Sequence, residues 1–338
     1  MVVIYLKKNI FLLVLCAFVV GCFAIVLLIT VFLQSKNSVE ISGNVIENQN
    51  YNYNLLRIDD KLYYNYEKSQ SNHGLIEISE KSSKKIFWNG YHPLASPRKL
   101  LSIIKNYDDK LVTANDNGDI LVYNYITKKV EEHEYLNSIP GISMYFQQVG
   151  DEIVYSVYNA SKDSDTVFIY NESSREVIAE NVVTDFVVVG NDIYYAKNGA
   201  DESREELRRY NISNKTDDLI AYLVDYFVYS IYVENNTVVF NACNGVYKIN
   251  LNSSSKAVDT IYEDAGACVY ATYNNKAYIV KDNRLVCHDL VSSKNTELCN
   301  SYAEECYIVD DMWIYFRGKN SSLWRVTQDG SIVERVYG

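Results

Sequence analysis

Proline and histidine are nearly missing from this chain, with 3 Pro and 4 His in 338 residues. So little proline excludes a polyproline stalk or a Pro-rich disordered linker. The histidines stand at His73, His92, His133 and His288 and share no H-x-x-x-H spacing. No C-x-x-C occurs either, so the usual zinc-binding patterns are excluded and no metal or cofactor is implied. The nucleophile elbow, the phosphate-binding loop and the dinucleotide fingerprint are lacking as well. His288 follows Cys287 directly, but neighbouring strand residues point to opposite faces, which removes the geometry of a Cys–His pair.

Basic residues are in short supply. There are 32 Lys and Arg against 43 Asp and Glu, and two of the bases, Lys7 and Lys8, lie in residues 1–33, where no acid occurs. The rest carries 30 bases against 43 acids, a net charge of −13. Phosphate backbones need clustered Lys and Arg, so a nucleic-acid partner is excluded.

One stretch lacks charge altogether. Ile10–Leu33 reads IFLLVLCAFVVGCFAIVLLITVFL, 24 apolar residues. At about 1.5 Å per residue it spans a hydrocarbon core of about 30 Å. Val19-Val20-Gly21-Cys22 has the look of a lipobox with Cys22 as the lipidated residue, but Phe23–Leu33 stays apolar where a lipoprotein turns polar. An uncleaved anchor is the expectation, with Lys7 and Lys8 on its cytoplasmic side. Residues 1–9 are then a short cytoplasmic tail, 10–33 a transmembrane helix, 34–50 a linker and 51–338 an extracytoplasmic domain at the cell membrane.

What the chain has in abundance is Tyr, 31 in all. Many stand in a recurring stretch. It reads DDKLYYN, DDKLVTA, GDEIVYS, GNDIYYA, ENNTVVF, YNNKAYI and DDMWIYF, with first apolar residues Leu62, Leu111, Ile153, Ile193, Val238, Ala277 and Trp313. The separations are 49, 42, 40, 45, 39 and 36 residues, and a period near forty marks a repeat architecture. Each copy has an apolar run before it, an L-x-x-apolar-Asn-like segment after it and a fourth strand-like run to close. Four short antiparallel strands per repeat predict an all-β fold, a β-propeller of seven four-stranded blades. Each blade is covered on both faces by its neighbours, so consecutive pairs such as Tyr63-Tyr64 and Tyr194-Tyr195 fill the gaps on either side. Asp201–Arg209 (DESREELRR) has helix-forming composition and equally suits a charged loop. For ring closure, either the first and last blades meet edge to edge, or residues 38–46 add a closing strand.

The pattern D-x-apolar-Tyr-Tyr followed by L-x-x-apolar-Asn resembles the YWTD-type propellers of lipoprotein-receptor ectodomains. It is similar above all to bacterial membrane-anchored proteins that share a receptor-related propeller domain of unknown function. The resemblance spans roughly 290 residues, with IYYAKN and WIYFRG nearest to the tetrad. The tetrad itself is not present, and those receptor propellers have six blades where seven copies are counted here.

Candidate special residues are few. The pairs Asp59-Asp60, Asp108-Asp109 and Asp310-Asp311 recur between the first two strands, where Asp bonds its own backbone in a tight turn. Asp163 and Asp165 come nearest to calcium-ligand spacing but lack the remaining oxygens. Five of the seven Cys fall in the last hundred residues. Cys287 and Cys299 flank a turn whose midpoint would set them opposite each other. Cys268 and Cys306 hold matching positions in the first strands of adjacent blades, and Cys243 is left over. The alternative is five buried small hydrophobes. Together the anchor and the absence of a catalytic pattern predict a non-catalytic binding, sensor or scaffold module for a protein, peptide or glycan. The alternative is a cell-surface enzyme, a lyase or hydrolase acting on polysaccharide.

Overall fold

Strand follows strand with tight turns between them. The computed structural model of the chain describes residues 54–58, 61–69, 72–79, 82–85, 104–107, 110–114, 118–124, 129–171, 174–200, 204–308 and 312–338. Sheet 1 is β1 (Leu55–Ile58), β2 (Lys61–Ser69), β3 (Asn72–Ser79) and β4 (Ser82–Lys85). Sheet 2 is β5 (Ile104–Tyr107), β6 (Lys110–Ala114), β7 (Ile120–Asn124) and β8 (Lys129–Glu132). Sheet 3 comprises β9 (Phe146–Val149), β10 (Glu152–Asn159), β11 (Ser164–Asn171) and β12 (Ser174–Val182), and sheet 4 comprises β13 (Val187–Val189), β14 (Asp192–Asn198), β15 (Arg204–Asn211) and β16 (Thr216–Val224). A single bridge, Val182 to Lys197, joins these two laterally. Sheet 5 is β17 (Val228–Glu234), β18 (Thr237–Ala242), β19 (Gly245–Asn250) and β20 (Val258–Tyr262). Sheet 6 is β21 (Cys268–Tyr273), β22 (Lys276–Lys281), β23 (Arg284–Asp289) and β24 (Asn295–Cys299). Sheet 7 is β25 (Glu305–Ile308), β26 (Trp313–Arg317), β27 (Leu323–Thr327) and β28 (Val333–Tyr337).

Burial falls from the inner to the outer strand of each sheet. The second strands β10, β14, β18 and β22 are buried over four or more consecutive residues, so both their faces are covered. The fourth strands β8 and β16 are mostly exposed, and β20 has no buried residue. The consecutive tyrosines show why. Tyr63 packs with Leu56, Ile104 and Leu111, between sheets 1 and 2, while Tyr64 packs with Tyr307, Tyr315 and Leu323, between sheets 1 and 7. Tyr194 faces sheet 5 and Tyr195 faces sheet 3. Trp313 is half-buried beside the sheet 7–sheet 1 core, with the Arg325 guanidinium 4.1 Å from its ring centroid.

The core is divided in the same way. Seven apolar clusters occupy the gaps between sheets 1 and 2, 2 and 3, 3 and 4, 4 and 5, 5 and 6, 6 and 7, and 7 and 1. The last sheet therefore meets the first face to face rather than edge to edge. Residues 38–46 lie outside the described residues.

Turn chemistry follows the backbone. Gly150, Gly190, Asn235, Asn274 and Asn275 take positive φ between first and second strands, where Gly and Asn carry the least strain. Asp59-Asp60, Asp108-Asp109 and Asp310-Asp311 lie outside the described residues, and Asp60 with them.

One local reading needs correction. Arg204–Asn211, which overlaps the helix-like Asp201–Arg209 stretch, is a strand paired with β14 and β16. Leu207 and Tyr210 are buried on it, and Arg208 and Arg209 reach Asp217 at 3.0 Å and Asp218 at 3.1 Å across the ladder. Cross-strand charge pairs and sheet burial override helix propensity there. A short helix appears instead at α1 (Glu134–Ser138), where the His133 ring accepts from the Leu136 N–H. Among the described residues no helix is long and apolar enough to cross a membrane, and Ile10–Leu33 lies outside them.

Candidate functional site at the starts of the first strands

Each first strand starts at the end of the sheets that also carries the sheet-to-sheet connections and the second-to-third turns. Neighbouring first strands pack on one another, β13 on β17, β17 on β21 and β21 on β25. Residues at these starts therefore lie at the same end of the sheets, here termed the mouth: Tyr145 before β9, Asp185 before β13, Phe227 and Tyr229 at β17, Cys268 and Tyr270 in β21, and Glu304 before β25.

Just inside the mouth, buried polar side chains tie one sheet to the next. Lys105 of sheet 2 donates to the carbonyls of Met144, at 3.5 Å, and Phe146 ahead of and within sheet 3. Gln147 Oε1 of sheet 3 accepts from the Val188 N–H of sheet 4 at 2.9 Å. Glu205 of sheet 4 accepts from the Val228 N–H of sheet 5 at 2.8 Å. Asn241 of sheet 5 grips Val269 of sheet 6 twice, its Nδ2 donating to the carbonyl at 2.9 Å and its Oδ1 accepting from the N–H at 2.8 Å. Within sheet 7 Glu305 accepts from Arg317 at 2.7 Å, and across to sheet 1 it accepts from Asn54 at 3.3 Å, while Tyr64 donates to the Ser321 carbonyl at 3.0 Å. A carboxylate held on both oxygens by Arg317 and Asn54 has no freedom to act as a base.

The mouth itself is different. Tyr145, Tyr229 and Phe227 are 43 %, 45 % and 67 % exposed. Phe227 and Asp225 sit in the left-handed region, φ 49° and 64°, which is strained backbone for a bulky Phe. Asp185 is half-buried. Burial first, then the nearby Asp165 carboxylate, push its pKa up to about 6, and Lys105 pulls against them. Burial also raises Asp165, against a hydrogen bond from Ser156. The Tyr145 hydroxyl is raised by burial, then by Asp185 and Asp165. Tyr145, Phe146, Gln147, Asp185 and Phe186 leave a cavity of about 10 Å³, room for one water at most. At sheets 5 and 6, Tyr229 Oη stands 3.2 Å from Cys268 Sγ. A wider groove of about 540 Å³ runs along sheet 2, lined by Lys110, Tyr123, Glu131, His133 and Tyr135 among others. It lies away from the first-strand starts.

The cysteines divide between core and mouth, and all five are free thiols. Cys287 and Cys299 are not opposite each other: Cys287 faces Thr296 and Cys299 faces Leu285. His288 opposite Asn295 sets the register, so the symmetric hairpin expected from the sequence is not formed; a bulge at Leu298 follows further along the fourth strand. Both share one apolar cluster with Cys306. Burial raises all three thiols, Cys287 to about 11. Cys268 and Cys306 do occupy adjacent first strands, but their sulfurs turn apart, Cys306 toward the Tyr278 carbonyl at 3.9 Å and Cys268 toward Tyr229. His288 is buried, and burial lowers its pKa against the hydrogen bond with Asn295. Asp163 accepts from Tyr158 Oη at 2.6 Å. Among the described residues no group of three or more His, Cys, Asp or Glu is placed to hold a metal ion.

The sequence singled out the shared repeat positions and so passed over Lys105, Tyr145, Asp185, Phe227 and Tyr229. Their signal is non-repetition. They stand at equivalent places just before or within the first strand, where each copy of the repeat differs from the others.

Fold and site together define a β-propeller protein. No family model matches the chain, and no curated protein does. Among solved structures it is similar to a puromycin-hydrolyzing peptidase of Mycobacterium tuberculosis, at 9 % identity and TM-score 0.56, over 88 % of this chain and 55 % of that one. It is similar also to the extracellular domain of BT4673 from B. thetaiotaomicron, at 16 % and 0.51, over 83 % and 37 %. BamB from Moraxella catarrhalis matches at 9 % and 0.50, over 81 % of both chains. The chain thus spans about half or less of the first two of these. At such identities the likeness extends to the fold alone.

Proposed function

We propose that the seven sheets are blades of one closed ring, held outside the cell membrane by the 10–33 anchor as a single-pass protein with a cytoplasmic N-terminus. In this reading the ring is a binding or sensor module of the YWTD-like kind whose ligand, a protein, peptide or glycan, docks on the mouth. One observation carries it: polar groups converging from several sheets are engaged in sheet-to-sheet bonds, whereas Tyr145, Phe227 and Tyr229 stay exposed at the mouth. Large aromatics offer contact area at small entropic cost and commonly anchor interfaces. The neighbours include both peptidases and an extracellular domain, and either class is compatible with this fold.

The test is photocrosslinking in the native host from a benzophenone amino acid placed at position 227, and in parallel at 275 on the opposite end. A discrete adduct from 227 and none from 275 is expected. Adducts from 275 alone, or from neither position, would overturn the reading.

A second reading, a hydrolase or lyase acting on polysaccharide, is favoured by one feature. Asp185, held protonated to about pH 6 beside Asp165 and the Tyr145 hydroxyl, has the character of a general acid. Reducing-end release from surface polysaccharide, abolished by Asp185→Asn, would favour it over simple binding.

A further inference from the structure

We propose that Cys243 and Cys268 form a reversible disulfide that links sheets 5 and 6 at the mouth. Cys243 lies in the tight turn between β18 and β19 and is exposed, while Cys268 opens β21 and is half-buried. The two strands are pinned together beside them. Asn241, two residues before Cys243, holds both backbone groups of Val269, the residue after Cys268. From that clamp both chains run toward the same end of the sheets, so the two thiols leave one anchor point within two residues of it.

Tyr229 supports the placement. Its hydroxyl touches Cys268 Sγ at 3.2 Å, and its pKa is raised by burial, by that contact and also by the proximity of Cys243. Tyr229 thus touches one of the two sulfurs and feels the charge of the other. The remaining described cysteines do not compete, because Cys287, Cys299 and Cys306 are 6 %, 7 % and 0 % exposed inside an apolar core. Buried, hard-to-ionise thiols react slowly.

The chemistry is thiol–disulfide exchange with a small-molecule disulfide as oxidant. The exposed Cys243 thiolate attacks one sulfur of the donor, releasing one donor thiolate and leaving a mixed disulfide on Cys243. Cys268 turns from Tyr229, loses its proton and attacks Cys243 Sγ, releasing the second donor thiolate. Two protein thiols are oxidised by two electrons, the donor disulfide is reduced to two thiols, and the protons pass to the released thiolates. Closure breaks the Tyr229–Cys268 contact, so the mouth changes with redox state.

The experiment is peptide mapping of the full detergent-purified chain after equilibration with oxidised glutathione. The expected result is a Cys243–Cys268 linked peptide, two fewer maleimide-reactive thiols, and a mass lower by about 2 Da. The linked peptide should vanish in both Cys243→Ser and Cys268→Ser. Cys243 found only as a glutathione adduct, Cys268 joined to Cys306, or both thiols still reduced would each overturn the proposal. The wild-type map decides this even where a variant fails to fold.

Discussion

Two carboxylates, one buried in the seam between sheets 7 and 1 and one half-buried at the mouth, show how differently the same group is used. Glu305 has a guanidinium at 2.7 Å and an amide at 3.3 Å, so its charge is balanced inside the structure. Asp185 is half-buried near another carboxylate, and its charge is resisted until about pH 6. The seam uses polarity to fix geometry. The mouth keeps strain: a raised carboxyl, an exposed Phe227 in left-handed backbone, and an accessible thiol. Stability should therefore reside in the seams and ligand contact at the mouth, and substitutions can break or sharpen that contrast.

The largest effect belongs to the seam. Arg317→Ala leaves the buried Glu305 without its guanidinium, and a loss of about 3 kcal/mol is expected in denaturant unfolding. A loss under about 0.5 kcal/mol would place the pair on a solvated surface. Next comes Asn241→Ala, which strands both backbone groups of Val269 and should cost about 2 kcal/mol by the same measurement.

Asp185→Asn acts with the opposite sign. A carboxyl with a raised folded-state pKa contributes stability that is fully present below its ordinary value of 3.8 and is lost as pH rises through about 6. Melting temperature against pH should therefore fall for the wild type between about 4 and 6 and be flatter for the variant, which becomes the more stable by about 1 kcal/mol at pH 7. Equal slopes for the two proteins would assign the burial cost elsewhere.

The smallest effect is expected at Phe227. Phe227→Gly relieves positive φ and removes an exposed ring, so stability should rise by about 0.5 kcal/mol while ligand crosslinking at the mouth is lost. A fall of more than about 1 kcal/mol would make Phe227 a packing residue instead.

The repeat was legible because its causes are local. A Gly or Asn turn, two consecutive apolar residues and a fixed period identify a strand covered on both faces, and Tyr63, Tyr64, Tyr194 and Tyr195 sit between sheets as that pattern requires. What the sequence concealed depends on non-local pairing. Arg204–Asn211 is a strand only because β14 and β16 flank it. Cys287 and Cys299 miss each other because the turn closes with His288 opposite Asn295, a register that puts Cys287 opposite Thr296. Glu305 looks like any acid until Asn54 arrives from the far end of the chain. Asp185 and Phe227 were invisible because they depart from the repeat, and a reading built on recurrence discards departures.

The account rests most on sheet 7 packing against sheet 1. Tyr66 and Tyr337 meet there edge to face, with ring centroids 5.6 Å apart. A double-mutant cycle of Tyr66→Ala and Tyr337→Ala, read by denaturant unfolding, measures that contact directly. A coupling of about 1 kcal/mol is predicted, and additivity within about 0.3 kcal/mol would contradict a closed ring.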